Sequence, residues 1–166
     1  MSPDELLRQR IAELLPRLRR FARTLAWKPE DADDLVQMAV ERALKSIDQW
    51  QEGTRLDSWI FRIMKNAWTD ELRSRARRDE VLAPEEAGEH VGVSETGSLI
   101  TRLSVEVAMA KLPDEQRVAV SLVLVEGLSY KEAAEVLDVP IGTVTSRLAR
   151  GRGTLQRLLV DGELVR

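Results

Sequence analysis

The stretch GLSYKEAAEVLDVPIGTVTSRLARGRGTL, residues 127–155, decides the reading of this chain. It holds an alanine-rich helix pattern, a short turn and a second helix pattern. Ser129 and Glu132 stand at Ser-x-x-Glu spacing, a capping box that satisfies two free backbone donors at a helix start. Ala133, Ala134 and Leu137 give that helix a small-residue face, which lets a neighbouring helix approach closely. VPIG (139–142) is the turn. The second helix opens near Gly142, with Val144 and Leu148 facing inward at i and i+4, and Leu155 and Leu158 continue the stripe. Its remaining positions are Thr143, Thr145, Ser146, Arg147, Ala149, Arg150 and Arg152, with no acid among them. A solvated face normally mixes signs. Hydroxyls and arginines alone suit the major groove of DNA, where arginine pairs bidentately with guanine. The stretch therefore reads as a DNA-binding helix-turn-helix. Gly151 and Gly153 weaken the expectation of helix beyond Arg150, at about 1 kcal/mol each against alanine.

Upstream, Leu103, Val107, Ala110 and Leu112 predict a helix that Pro113 breaks. DEQRVAVSLVLVEG (114–127) predicts another, stopped by Gly127 as its C-cap. The first half of the chain carries three more helix patterns. In residues 4–26 the stripe is Leu7, Ile11, Leu14, Leu18, Phe21 and Leu25, with Pro16 predicting a kink. Pro29, Glu30 and Asp31 suit the first turn of a second helix, about 30–48, with Ala32, Leu35, Val36, Ala39, Ala43 and Ile47 inward. QWQEGTRL (49–56) reads as a loop, with Thr54 as the N-cap of a third helix over about 55–78. Trp59, Ile60, Ile63, Ala67 and Leu72 are its expected inward residues.

Residues 79–98 lose the helical period. They hold Pro84, three glycines and six acids, with no lysine or arginine. This reads as a flexible acidic linker. The expected architecture is all-α: two small helical domains, 1–78 and 99–166, joined by 79–98.

Composition narrows the chemistry. With Cys 0 and His 1 there is no disulfide frame, no thiolate metal site and little scope for histidine catalysis. No nucleophile motif or phosphate loop is legible. No catalytic site, metal or cofactor is expected. No apolar run approaches the ~20 residues that span a bilayer, and the N-terminus lacks a signal core, so a cytoplasmic chain without membrane insertion is expected. The net charge of −3 matters less than its blocks. Residues 8–23 carry six arginines against one acid, residues 30–41 five acids and no base, and residues 141–157 four arginines and no acid. Separate surfaces for separate partners are implied.

Two readings fit so far: a regulator binding DNA alone as a dimer, or one part of a larger machine. A family resemblance separates them. LPDEQRVAVSLVLVEGLSYKEAAEVLDVPIGTVTSRLARGR (112–152) resembles region 4 of bacterial extracytoplasmic-function (ECF) sigma factors. DADDLVQMAVERAL (31–44) resembles their region 2.2, and LDSWIFRIMKNAWTDELRSRARR (56–78) their joined regions 2.3 and 2.4. The resemblance implies a sigma factor that directs core RNA polymerase to promoters, helps open DNA in a stress response, and is a monomer when free. An anti-sigma factor is an implied partner.

Residue by residue, the resemblance puts core-polymerase contacts on Asp33, Asp34, Leu35, Gln37 and Arg42. It puts −10 DNA contacts on Trp50, Arg55, Arg62, Lys65, Asn66, Arg73 and Arg75. Contacts with the −35 element fall on Thr143, Thr145, Ser146, Arg147, Ala149, Arg150 and Arg152, with Arg147 and Arg152 on phosphates. The chain departs from the family at Pro140, where a serine cap is common.

Overall fold

The computed structural model describes residues 2–79 and 97–162, with side chains from residue 104 onward in the second stretch. Most of the expected linker, 80–96, and the side chain of Leu103 lie outside the described residues. Those described form seven α-helices and no strand. In the first half α1 is Pro3–Leu25, α2 Pro29–Lys45 and α3 Leu56–Asp79, with a 3₁₀ turn at Ile47–Gln49. In the second half α4 is Gly97–Lys111, α5 Asp114–Val120, α6 Tyr130–Leu137 and α7 Ile141–Leu159.

Each boundary has a local cause. Ser2 opens α1 with a capping box: its hydroxyl accepts the Glu5 N–H (3.2 Å), and the Glu5 carboxylate accepts the Ser2 N–H (2.8 Å). The helix continues as one element through Pro16, which lies on its exposed side. Pro29 takes the N-terminal position of α2 as expected. Thr54 does not cap α3. Its hydroxyl donates to the Gln51 carbonyl (2.6 Å), and the Trp59 N–H reaches back to Arg55. The loop turn competes for the hydroxyl and wins.

The α5 helix continues into a π turn over Ser121–Val125, closed by the Glu126 N–H donating to the Ser121 carbonyl (2.9 Å). The wider turn leaves Ser121 and Leu122 buried and Leu124 and Val125 exposed. Gly127 follows at φ +74°, which only glycine adopts without strain. The capping box of α6 is complete in both halves, and Asp138 ends the helix in the left-handed region at φ 54°.

The core of α3 is set deeper than its pattern implied. Phe61 and Met64 are fully buried, Trp59 and Ile63 only half-buried, and Leu72 is 40% exposed. Phe61 tilts against Phe21 of α1 with ring centroids 4.8 Å apart. The two halves also share one apolar core. Phe21, Leu35, Ile60 and Phe61 belong to the same cluster as Val118, Leu122, Leu128, Val136 and Val144. A smaller cluster of Leu112, Val120 and Leu148 joins α7 to α5.

The recognition helix does not fray at its glycines. α7 runs through Gly151 and Gly153 to Leu159. Gly151 is where α7 meets α5: a Cβ there would lie 2.7 Å from Val120 Cγ2 and 3.5 Å from the Gln116 carbonyl oxygen. The lost helix propensity is offset by a close crossing that any side chain would push apart.

Candidate nucleic-acid interface

Three faces stand out. On α7, Thr145, Ser146, Ala149, Arg150 and Arg152 are exposed and Thr143 half-buried. Val144, Leu148 and Gly151 face the core, so the same periodicity that seats the helix presents these groups outward. The Thr145 hydroxyl donates to the Ile141 carbonyl (3.1 Å), leaving its methyl and lone pairs available. Arg147 is different. It turns toward α5, 21% exposed, and pairs with Glu115 at 3.6 Å.

On α3, Arg62, Asn66 and Arg73 are exposed and share one face at i, i+4 and i+11. Lys65 is half-buried in a groove with Trp68, Leu72 and Arg147. Arg75 is held by Asp31 (3.0 Å) and Glu71 (3.0 Å) and lies over the Trp68 ring at 5.1 Å. The bond to Asp31, aided by Glu71, raises its pKa despite partial burial. In that geometry it fastens α3 to the start of α2. Trp50 is half-buried under Arg10, whose guanidinium sits 5.3 Å from the ring centroid. Among the described residues the Trp50 indole N–H meets no acceptor.

On α2, Asp33, Asp34 and Gln37 are exposed within one turn, and Arg42 is exposed in the last turn. Leu35 is in the core at 3% exposure, where it anchors the helix that carries the acids.

An ionic network that no sequence pattern signalled links the halves. The Asp57 carboxylate, 8% exposed, accepts from Arg55 (3.0 and 2.6 Å), from Arg17 (2.9 Å) and from the Ser58 N–H (2.8 Å). Burial pushes its pKa up, but those hydrogen bonds outweigh it and leave the carboxyl below the usual carboxylate value. Arg55 also donates to Glu132 of α6 (2.8 Å). Its guanidinium is raised above its ordinary value, chiefly by Asp57. Glu126, whose side chain is fully buried, accepts from Arg20 (2.8 and 2.9 Å) and Arg17 (3.3 Å), and its backbone carbonyl accepts from Arg17 (2.9 Å). Arg117 of α5, 5% exposed, donates to the Thr24 carbonyl at the end of α1 (2.8 Å) and lies over Trp27 at 5.1 Å. The sequence had placed Arg17 and Arg20 only in a basic block and Glu132 only in a capping box.

Among the described residues no cluster of three metal-binding side chains occurs, and no helix is long and apolar enough to cross a membrane.

Comparison with known proteins matches these halves to one family. Residues 11–78 match Sigma-70 region 2, and residues 102–155 match Sigma-70 region 4. The ECF RNA polymerase sigma factor EcfG of Rhodopseudomonas palustris is 39% identical over 166 residues, covering 98% of this chain and 90% of its own. SigM of Mycobacterium tuberculosis is 36% identical over 156 residues, covering 94% of this chain and 76% of its own. Among solved structures, the sigma factor RpoE of Bartonella quintana, in complex with the anti-sigma factor NepR, matches with TM-score 0.78 and 32% identity over 92% of this chain and 96% of that one. CnrH, solved with the cytosolic domain of CnrY, shares the fold at TM-score 0.68 and 24% identity. Two region matches in order, and relatives spanning nearly the whole chain, make this protein a member of the ECF RNA polymerase sigma factor family.

Proposed function

We propose that the chain recruits core RNA polymerase through α2, reads the −35 element with α7, and holds the opened −10 strand on the loop before α3 and the outer face of α3. One observation carries this reading: an acidic face on α2, a basic face on α3 and an acid-free recognition face on α7 occur in one chain whose two halves match sigma regions 2 and 4.

The acids Asp33 and Asp34 meet a basic element of polymerase. On α7, Arg150 and Ser146 read bases, Thr145 and Ala149 offer small groups to the groove floor, and Arg152 holds phosphate. On the other half Arg62, Asn66 and Arg73 track an unstacked strand, and Arg55 guards the loop where a flipped base is held. Trp50, whose indole N–H meets no acceptor among the described residues, belongs to that loop. The chain supplies no chemistry itself; polymerase makes the RNA, in the cytoplasm, where both its partners reside. An anti-sigma factor is a further partner, in keeping with the NepR complex of the Bartonella relative.

The test is a band shift on a promoter fragment selected from genomic DNA by the reconstituted holoenzyme. Binding should be weak for the chain alone and strong with core polymerase. Tight, sequence-specific binding by the chain alone, unchanged by polymerase, would favour a stand-alone dimeric regulator instead.

A further inference from the structure

The outward half of α7 is divided lengthwise into two rows. Ile141, Thr145 and Ala149 stand at i, i+4 and i+8, so they line up along one side of the helix. All three are exposed, Ile141 by 48%. Ser146 and Arg150, also four apart and exposed, form the neighbouring row. The rows differ in chemistry. Ser146 and Arg150 carry hydrogen-bond donors. Ile141 and Ala149 carry only hydrocarbon, and Thr145 joins them through its geometry. Its hydroxyl donates to the Ile141 carbonyl (3.1 Å), so its proton is spent on the helix. What Thr145 still offers outward is its methyl group, with an oxygen that can only accept. A single exposed isoleucine needs no explanation. This one is the first residue of the recognition helix, the end that meets base edges, and it begins a row. Gly142 and Gly153 are exposed beside the rows, and a Cβ at either would meet nothing within 4 Å among the described residues. No long side chain there holds the short groups of the apolar row off the groove floor.

The major groove presents donors, acceptors and one apolar feature, the C5-methyl of thymine. A row of hydrocarbon matches only that methyl. Opposite cytosine it would leave an amino group without a partner. We propose that α7 reads the −35 element by two chemistries: Ser146 and Arg150 take polar base edges, and the row Ile141, Thr145 and Ala149 takes thymine methyl groups. Ile141 and Thr145 thereby set a requirement for thymine at the positions they face. The proposal rests on the reading of α7 as the −35 helix.

Deoxyuridine tests this directly, because it differs from thymidine only by that methyl and pairs with adenine in the same way. Promoter fragments are selected by holoenzyme reconstituted with the full-length chain. Each thymine of the −35 element is then replaced in turn by deoxyuridine, and holoenzyme affinity is read by competition. With the wild-type chain, replacement at a contacted thymine should cost about threefold to fivefold, the worth of one buried methyl. Replacement in the spacer between the two elements should cost nothing. Two variants locate the contact. T145S keeps the hydroxyl and its bond to the Ile141 carbonyl and removes the methyl. I141A shortens the exposed start of the row. Each should weaken binding to the thymine fragment by a similar factor and make thymine and deoxyuridine equivalent at the position it faces. Selected −35 elements with no thymine in common would overturn the proposal. So would wild-type affinity indifferent to deoxyuridine at every −35 thymine. A deoxyuridine penalty as large in both variants as in the wild type would overturn it too, since the methyl would then act through duplex shape. Failure of the −35 reading looks different: R150A and base changes throughout the −35 element would leave binding to the unmodified fragment unaltered.

Discussion

Alanine at Gly151 and at Gly153 makes a matched pair of perturbations that isolates one packing contact. Both sites lie inside α7, so each change to alanine gains about 1 kcal/mol of helix propensity. At Gly153 the new Cβ meets nothing within 4 Å among the described residues, and the gain stands alone. At Gly151 it would sit 2.7 Å from Val120 Cγ2, about 1 Å inside the optimal carbon–carbon separation. Val120 is 2% exposed and branched at Cβ, so it has no low-cost rotamer into which to retreat. Forcing extra volume into such a contact costs about 1–3 kcal/mol. G153A should therefore be more stable than the wild type by about 1 kcal/mol, and G151A should fall below G153A by about 1–3 kcal/mol. In melting temperature the gap between the variants is roughly 2–12 °C. Urea midpoints read by circular dichroism measure it. If G151A and G153A were equally stabilised, the α5–α7 crossing would not depend on a bare backbone, and the account of Gly151 would be wrong.

Three further outcomes test the assigned faces. Asp33 and Asp34 changed together to lysine should weaken polymerase binding by about tenfold or more, measured by competition, while stability moves by no more than about 0.5 kcal/mol because both are exposed. Arg150→Ala should lower −35-dependent transcription by about 1–3 kcal/mol of binding, with −10 preference unchanged; in-vitro transcription on promoters mutated in each element distinguishes the two. Asp57 and Glu132 both have carboxyls lowered in the fold, from ordinary values of 3.8 and 4.5. Their contribution is complete above those ordinary values and is lost as pH falls through the lower folded-state values. Stability should therefore drop on acidification below about pH 4, and the drop should be shallower in D57N/E132Q by denaturation at several pH values.

Much of the fold was legible because helices are local. Three- and four-residue spacing, with Pro113 and Gly127 as boundaries and the Ser129–Glu132 box at the start of α6, is enough to place the seven helices of the described residues. The errors are local as well. Thr54 spends its hydroxyl on the Gln51 carbonyl, and Leu72 lies beyond the reach of the first domain's core. The glycines of α7 read as weakness because propensity counts one residue at a time. Gly151 is explained by Val120, thirty-one positions earlier, and only the crossing of two helices brings them together.

The candidate sites divide along the same line. The sequence alone determined the helices, the family and which helix faces carry acid, base or neither, since these follow from composition at fixed helical spacing. Tertiary structure alone decided what those side chains face. It turned Arg147 toward Glu115 and locked Arg75 onto Asp31. It also brought Arg17 and Arg20 to Glu126 across 109 and 106 residues, and Arg55 to Glu132 across 77. Ion pairs at such separations leave no period in the sequence. They exist because the two halves bury a common apolar core, and that burial sets which charges end up opposite one another.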